Sequence, residues 1–416
     1  MTLPAFDRRS VLLAGAALTA APAFAVTPKR SSPAFPQGFL WGAATAPHQI
    51  EGNNVASDLW YLENQQPTVF TTPSGDACNS FALWETDLDL ARNLGLNCYR
   101  FGIEWARIEP EKGLFSQAML DHYKAMIDGC RARGLAPVVT YSHFTAPRWF
   151  SAQGGWTNPE SAQLFARYCD KATRALGQGI HSAITFNEPN ILLLLKPMLP
   201  PQVWDIQKLT LETAARRLGV PKFVSANVAG LDDLPALQRG LLAAHAAGKA
   251  AIKAVRPNLP VGLSLAMIDD QAVGKASIRD RMRGELYGAW LDVARGDDFL
   301  GVQNYERALW GDKGRLPAPA GAVVNWSAAR SGRPRSPARS ATRTRRRACR
   351  SWSPSTASAP TTTRSAPASS PRRSPGSSRR STTGFRCGAI ATGRCSTTSS
   401  GSSATSPSSA CTASIP

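Results

Sequence analysis

From Ala328 to Pro416 the chain contains no Asp, Glu, Lys, Leu, Val, Met or Tyr. A segment so poor in apolar side chains has no hydrophobic period. That excludes a packed core and predicts disorder over 328–416. What fills it is 23 Ser, 16 Arg, 14 Ala and 13 Thr. The missing acids also relocate the charge. The whole chain carries +19, and 19 − 16 leaves +3 for everything before Ala328. The body is therefore near neutral, and its charge gives no reason to expect a nucleic-acid footprint. The arginine-rich tail has only Trp352 and Phe385 as interleaved aromatics. That excludes a stacking platform for single strands and leaves only nonspecific, salt-sensitive attraction. Other absences narrow the class further. None of the eight cysteines has zinc-like spacing. No apolar run is long enough for an ordinary membrane span, so no stable membrane anchor is expected. No glycine-rich phosphate fingerprint follows the first strand, which argues against a nucleotide-binding sheet.

The start of the chain is also set apart. Asp7-Arg8-Arg9-Ser10 precedes an apolar run from Val11 to Ala21, and Ala23-Phe24-Ala25 supplies small residues for cleavage. The pattern predicts a signal peptide over 1–25 of the twin-arginine type, hence a periplasmic or extracellular destination in a bacterium. The expected organisation is 1–25 signal, 26–327 catalytic body and 328–416 tail.

Within the body, short β-rich runs alternate with helical patterns. Strands are expected at Phe39–Thr45, Asn97–Trp105, Ala136–His143, Ser182–Glu188, Val261–Met267 and Phe299–Tyr305. Helices are expected at Phe81–Asn93, Met119–Arg133, Ser161–Leu176, Leu237–Val255 and, more loosely, Val273–Val293. Alternation at this spacing implies crossover units and a parallel sheet. Polar groups stand at the ends of several different strands: Gln49, Arg100, His143, Asn187 with Glu188, and Tyr305. Strand ends that converge on one face are the mark of an α/β (beta/alpha)8 TIM barrel, here incomplete, with six of eight strands legible. Glu188 ends the strand of ITFNEPN. By itself it could be an ordinary solvent-facing carboxylate, since Glu is rarely buried unless paired or used. Trp149 and Trp156 fit either a sugar pocket or the packing of the rim. Glu51 and Glu104 are assigned structural roles.

Five ordered segments carry a family resemblance. They are FPQGFLWGAATAPHQIEG, CYRFGIEWARIEPEKG, SHFTAPRWF with GGWTNPE, ITFNEPN and FLGVQNY, spread over Phe35–Trp326. Together they resemble glycoside hydrolase family 1, the beta-glucosidase family of retaining (beta/alpha)-barrel enzymes. The resemblance implies hydrolysis of a terminal β-glycosyl residue of a beta-linked glucoside or oligosaccharide, with no metal and no organic cofactor. It implies Glu188 as the acid/base, Asn187 on the sugar 2-hydroxyl, and Gln49 and His143 on other glycone hydroxyls. It implies Arg100 pairing with the nucleophile and Tyr305 hydrogen-bonding it, although the family more often has a second aromatic next to that tyrosine, where Glu306 follows here.

The family's nucleophile follows its seventh strand in a motif resembling TENG. No such motif follows Trp326, and Glu306 is the last Glu of the chain. The tail composition is what a GC-rich gene yields in a shifted frame. Trp352 to Pro360, moved back one base with suitable codons, can spell LVTEHGIGT. Gly388 to Gly401 can likewise spell a stretch like GYRHWSLLDNFEW, which resembles the family's eighth-strand motif. The expectation is a one-base frame change near Ser327 to Arg330. This chain would then lack its nucleophile and be inactive, or act as a carbohydrate-binding pseudoenzyme.

Overall fold

The computed structural model describes residues 35–322 and 413–414. The signal-peptide and tail assignments lie outside them, apart from the two-residue strand at 413–414. Phe35–Phe39 form a short unit of their own, in which the Phe39 amide bonds the Pro36 carbonyl at 3.2 Å.

The main unit is built on six parallel strands: β1 (Gly42–Ala44), β2 (Cys98–Gly102), β3 (Ala136–Ser142), β4 (Ser182–Asn187), β5 (Val261–Ala266) and β7 (Phe299–Gln303). They pair in sequence order, β1-β2-β3-β4-β5-β7, with each neighbour parallel. Ala413–Ser414 pairs antiparallel to β7. This is a curled, incomplete (β/α)8 barrel. The helices α1 (Ser80–Asn93), α2 (Gln117–Ala132), α3 (Ser161–Leu176), α4 (Pro201–Leu218) and α5 (Leu234–Val255) surround it.

Alternation along the strands sorts side chains into two environments. Tyr99, Phe101, Val139, Leu263 and Leu265 face the helices and belong to the main apolar cluster. Cys98, Val138 and Ile184 face inward and form a separate apolar layer. On the outside, α3 turns Leu164, Phe165, Tyr168, Cys169 and Ala172 towards the sheet on helical spacing. Helix α5 lies against α3 at very short range. A Cβ on Gly248 would come within 2.6 Å of the Phe165 ring, so only glycine admits this approach. A buried polar chain also ties α5 to β4. The Thr185 hydroxyl meets His245 Nδ1 at 2.7 Å, and His245 Nε2 lies 3.2 Å from Asp297. Lys249 Nζ then donates to the other Asp297 oxygen at 2.8 Å.

Trp149 and Trp156 are both packing residues. Each is buried against Trp105, with centroids 5.9 and 6.1 Å away, in a cluster that includes Phe150, Phe165 and Phe186.

Three parts of the architecture differ from the periodic reading. Val273–Val293 is not one helix. It contains Arg279–Arg283, a single π-helical stretch at Gly284–Gly288 and Ala289–Ala294. Beside it stands a small second sheet of β6 (Asp269–Ala272), β8 (Arg307–Trp310) and β9 (Arg315–Leu316). Its strands are two to four residues long, too short to set a legible period. Helix α4 was also not expected. Polar residues interrupt its apolar positions, and it inserts between β4 and α5.

β4 carries the irregularity that matters most for the site. Ile184 pairs with Gly262, but the next pair is Asn187 with Ser264. Three steps on β4 therefore match two on β5, which is a bulge of one residue. Thr185 faces His245, and Phe186 still faces the helices against Trp156. An unbroken strand would send Asn187 outward with Thr185. The extra residue returns it to the barrel interior.

Candidate active site

Above the apolar inner layer the strands present polar side chains. Arg100 on β2 is fully buried. Its Nε donates to Thr140 Oγ1 on β3 at 3.0 Å, and its Nη2 donates to Asn187 Oδ1 on β4 at 2.6 Å. Gln303 at the end of β7 reaches the same Asn187 oxygen with Nε2 at 2.8 Å and also donates to Ser264 Oγ on β5 at 2.6 Å. The Tyr305 hydroxyl donates to Gln303 Oε1 at 3.1 Å. Five strands are thus linked through one layer of hydrogen bonds. Asn187 Oδ1 is saturated by two donors, while its Nδ2 has no partner among the described residues. That amide is a donor held ready for an incoming oxygen.

Glu188 follows directly. Its φ of 45° lies in the left-handed region, which costs a non-glycine residue roughly 1–2 kcal/mol. The strain is held by its own backbone. The Glu188 amide donates to the Ser264 carbonyl at 2.6 Å, and its carbonyl accepts from Ile191 at 2.9 Å. The side chain is wholly buried, and neither carboxyl oxygen makes a well-formed hydrogen bond. Burial raises its pKa from the ordinary carboxylate value to about 7, against the smaller lowering pulls of the Arg100 charge and the Tyr305 hydroxyl. Such a carboxyl is part protonated at neutral pH and can both donate and accept a proton.

The other sequence-selected residues take these places. Gln49 is half-buried in the short helix Pro47–Ile50 that follows β1. His143 is buried one residue beyond β3, its ring edge-on to Phe144 at 5.0 Å. Ser142 pairs with Phe186, so His143 leaves its strand beside Asn187. The hydrogen bonds given above join Arg100, Asn187 and Tyr305. Gln49 and His143 stand at the exits of β1 and β3. Gln303, Thr140 and Ser264 were missed. Gln303 had a signal, being a polar residue two before Tyr305 in FLGVQNY. Ser264 and Thr140 had none, since either is unremarkable in a strand.

A second layer of acids lies under the loops that follow β1 and β2. Glu51 accepts from Arg107 Nε at 2.8 Å and from the Tyr123 hydroxyl at 3.1 Å. Glu104 accepts from Thr145. Burial, then the charge of Glu104, pushes Glu51 up to about 7. Burial pushes Asp58 up to about 6. These carboxylates are fully engaged inside the protein, which fits a structural role. Among the described residues no three metal-ligating side chains converge.

Gln303→Leu is expected to lower stability by about 2 kcal/mol. It removes the Gln303 donor to the Ser264 hydroxyl, the acceptor of the Tyr305 hydroxyl and one of two donors to Asn187. Urea melts of parent and variant measure it, and equal midpoints would mean that the network contributes nothing to the fold.

Comparison with known proteins matches the Glycosyl hydrolase family 1 model to residues 31–214. Beta-glucosidase A of Thermotoga maritima is 38% identical over 168 residues, covering 39% of this chain and 38% of that protein. Cytosolic beta-glucosidase of Homo sapiens is 36% identical over 182 residues, covering 41% and 39%. The apo structure of a beta-glucosidase 1317 superposes with a TM-score of 0.66 at 39% identity, over 70% of this chain and 71% of that one. The chain belongs to glycosyl hydrolase family 1. A crystal structure of beta-glycosidase BGL167 is similar to the same extent, with a TM-score of 0.63 and 43% identity over 71% and 72%. Against the curated family 1 relatives the chain spans less than half their length. The family 1 assignment makes this chain a member of the O-glycosyl hydrolases by descent.

Proposed function

We propose that the barrel is the sugar-binding and proton-donating part of a retaining β-glycosidase. The observation that carries this reading is Glu188: a buried carboxyl of pKa about 7, without a firm hydrogen bond, at the end of β4 beside the Arg100–Asn187 pair. In this reading Glu188 protonates the glycosidic oxygen as the bond to the anomeric carbon breaks. It then takes a proton from the water that releases the sugar. Asn187 donates its unpartnered Nδ2 to the sugar 2-hydroxyl, a contact that strengthens as charge builds on the ring. Gln49 and His143 hold further glycone hydroxyls. Arg100 and Tyr305 would orient a second carboxylate, which must sit roughly 5 Å from Glu188 for a retaining mechanism. The substrate is a beta-linked glucoside or oligosaccharide.

No Glu or Asp stands between Asp312 and Pro416, so in this reading that segment does not supply the second carboxylate. We infer that it is encoded in the other frame, in the LVTEHGIGT reading of Trp352 to Pro360. This chain is then expected to hydrolyse aryl β-glucosides slowly or not at all. The test is a turnover assay on purified chain of verified mass. Robust turnover would overturn the inference of a lost nucleophile. A second reading follows from the same absence: sugar-contact groups without a nucleophile make a carbohydrate-binding pseudoenzyme, recognised by saturable binding without hydrolysis. The twin-arginine pattern at Arg8-Arg9 supports export to the periplasm or beyond. Among the described residues no helix is long and apolar enough to cross a membrane.

A further inference from the structure

We propose a second saccharide site, separate from the Glu188 layer, in a cleft of about 440 Å³ walled by Trp60, Tyr61, Gln65, Glu111, Arg148 and Arg217. None of these residues belongs to the Arg100–Asn187–Gln303 network. They come from the segments after β1, β2 and β3 and from the last turn of α4. The class of ligand, a sugar chain, rests on the glycosidase reading. The site itself rests on the cleft.

The frame of the cleft is fixed. Ser57 caps the short helix Asp58–Glu63, accepting from the Trp60 amide at 3.1 Å. The buried Asp58 carboxylate accepts from the amides of Leu59 and Ala146 at 2.8 and 3.0 Å, joining that helix to the segment after β3. The Arg148 amide donates to the Ala56 carbonyl at 2.8 Å. Trp60 and Tyr61 are thereby presented side by side, each partly exposed. The Arg148 guanidinium stands over the Tyr61 ring, 5.7 Å from its centroid.

Gln65 supplies the independent sign of a ligand. It is only 2% exposed, and Nε2 is tied to the Thr210 carbonyl at 2.7 Å. Its Oε1 is buried with no donor among the described residues. Buried amide oxygens normally have a partner, and one without it calls for an explanation. A hydroxyl from a ligand in the cleft is a donor of the right kind. Aromatic faces suit the apolar C–H face of a pyranose, and the arginine forks and Glu111 suit its hydroxyls. Two guanidinium groups against one carboxylate favour a sugar with one negative charge. The ligand is therefore a short oligosaccharide, bound more tightly when it contains a uronic acid.

The test is calorimetric titration of the full chain carrying Glu188→Gln, so that hydrolysis does not intrude, with cellotetraose and with a tetrasaccharide containing one glucuronic acid. Both are expected to bind, the acidic one several-fold more tightly. Trp60→Ala is expected to weaken both by about tenfold or more, a change of about 1.4 kcal/mol. Arg217→Ala, at an exposed position that leaves folding alone, is expected to abolish the preference for the acidic sugar. Far-UV circular dichroism and melting of each variant separate lost binding from lost structure. Binding that ignores Trp60→Ala and Arg217→Ala but disappears with Asn187→Ala would overturn the second site and leave the glycosidase reading standing. No binding of either sugar would overturn it as well. Trp60-dependent binding in a frame-restored chain that hydrolyses no glycoside would sink the glycosidase reading and keep the site.

Discussion

Returning the gene to the other frame between Ser327 and Arg330 is expected to raise hydrolysis of an aryl β-glucoside by at least about 10³-fold over the chain as translated. In the proposed reading Glu188 delivers the proton, and the carboxylate that takes the anomeric carbon comes only with the restored frame. Glu306, three residues past β7, accepts at its backbone carbonyl from the Asp269 amide, and its side chain lies 3.5 Å from Arg315. In the restored chain the carboxylate of LVTEHGIGT would meet Arg100 and Tyr305. The stretch resembling GYRHWSLLDNFEW would add an apolar run to a segment that has no Leu, Val, Met or Tyr. Stability should rise with activity. Among the described residues the parallel sheet ends at β1 on one side and near β7 on the other, and closure would pair both edges. The readouts are kcat/KM, retention of the anomeric configuration in the first product, and Tm. A gene whose sequence proves unbroken across Ser327 to Arg330, or a restored chain that stays inert, ends this account.

Glu188→Gln should have two separable consequences. In the restored chain, kcat for a glucoside with a poor leaving group falls by about 10²–10⁴-fold, since the amide cannot donate the proton. In the chain as it stands, the same change alters how stability depends on pH. The Glu188 pKa is about 7 when folded, against 4.5 for the ordinary group. Below about pH 4.5 the carboxyl is neutral in both states and costs nothing. As pH rises towards 7 the unfolded chain releases its proton while the folded chain keeps it, so stability falls. Above about pH 7 the penalty is constant at about 3 kcal/mol. Glu51 and Asp58, raised to about 7 and about 6, act in the same direction in parent and variant alike. The Tm difference between Glu188→Gln and parent should therefore widen in favour of the variant from about pH 5 to about pH 7, then level off. A gap independent of pH would mean that Glu188 ionises freely in the fold.

The six parallel strands were legible because each is a short β-branched or aromatic run closed by a turn signal, as in Ser182–Asn187 before Pro189. The helices α3 and α5 were legible from their apolar spacing. The small sheet was not, because its strands depend on pairing across Asp269–Arg307 rather than on any local period. Gln303 was overshadowed by Tyr305 in the same motif. Its importance comes from reaching Asn187, 116 residues earlier in the chain, which no local pattern encodes. The cleft at Trp60 was invisible for a similar reason: its walls are assembled from four distant segments. The unusual burial of Glu188 was the reverse case, since a lone Glu at a buried strand end already invites a special role.

The three-against-two step in β4 has a consequence for how this barrel could change over generations. A strand without it would keep every residue of ITFN and much of its hydrophobic burial, yet Asn187 would sit on the wrong side of the sheet wall. The polar layer is therefore protected by parity as much as by residue identity. Substitutions along β4 can be absorbed one at a time, whereas losing or gaining a single residue between Ile184 and Asn187 would swap inside for outside in one event. Any lineage that preserves the chemistry must preserve the count.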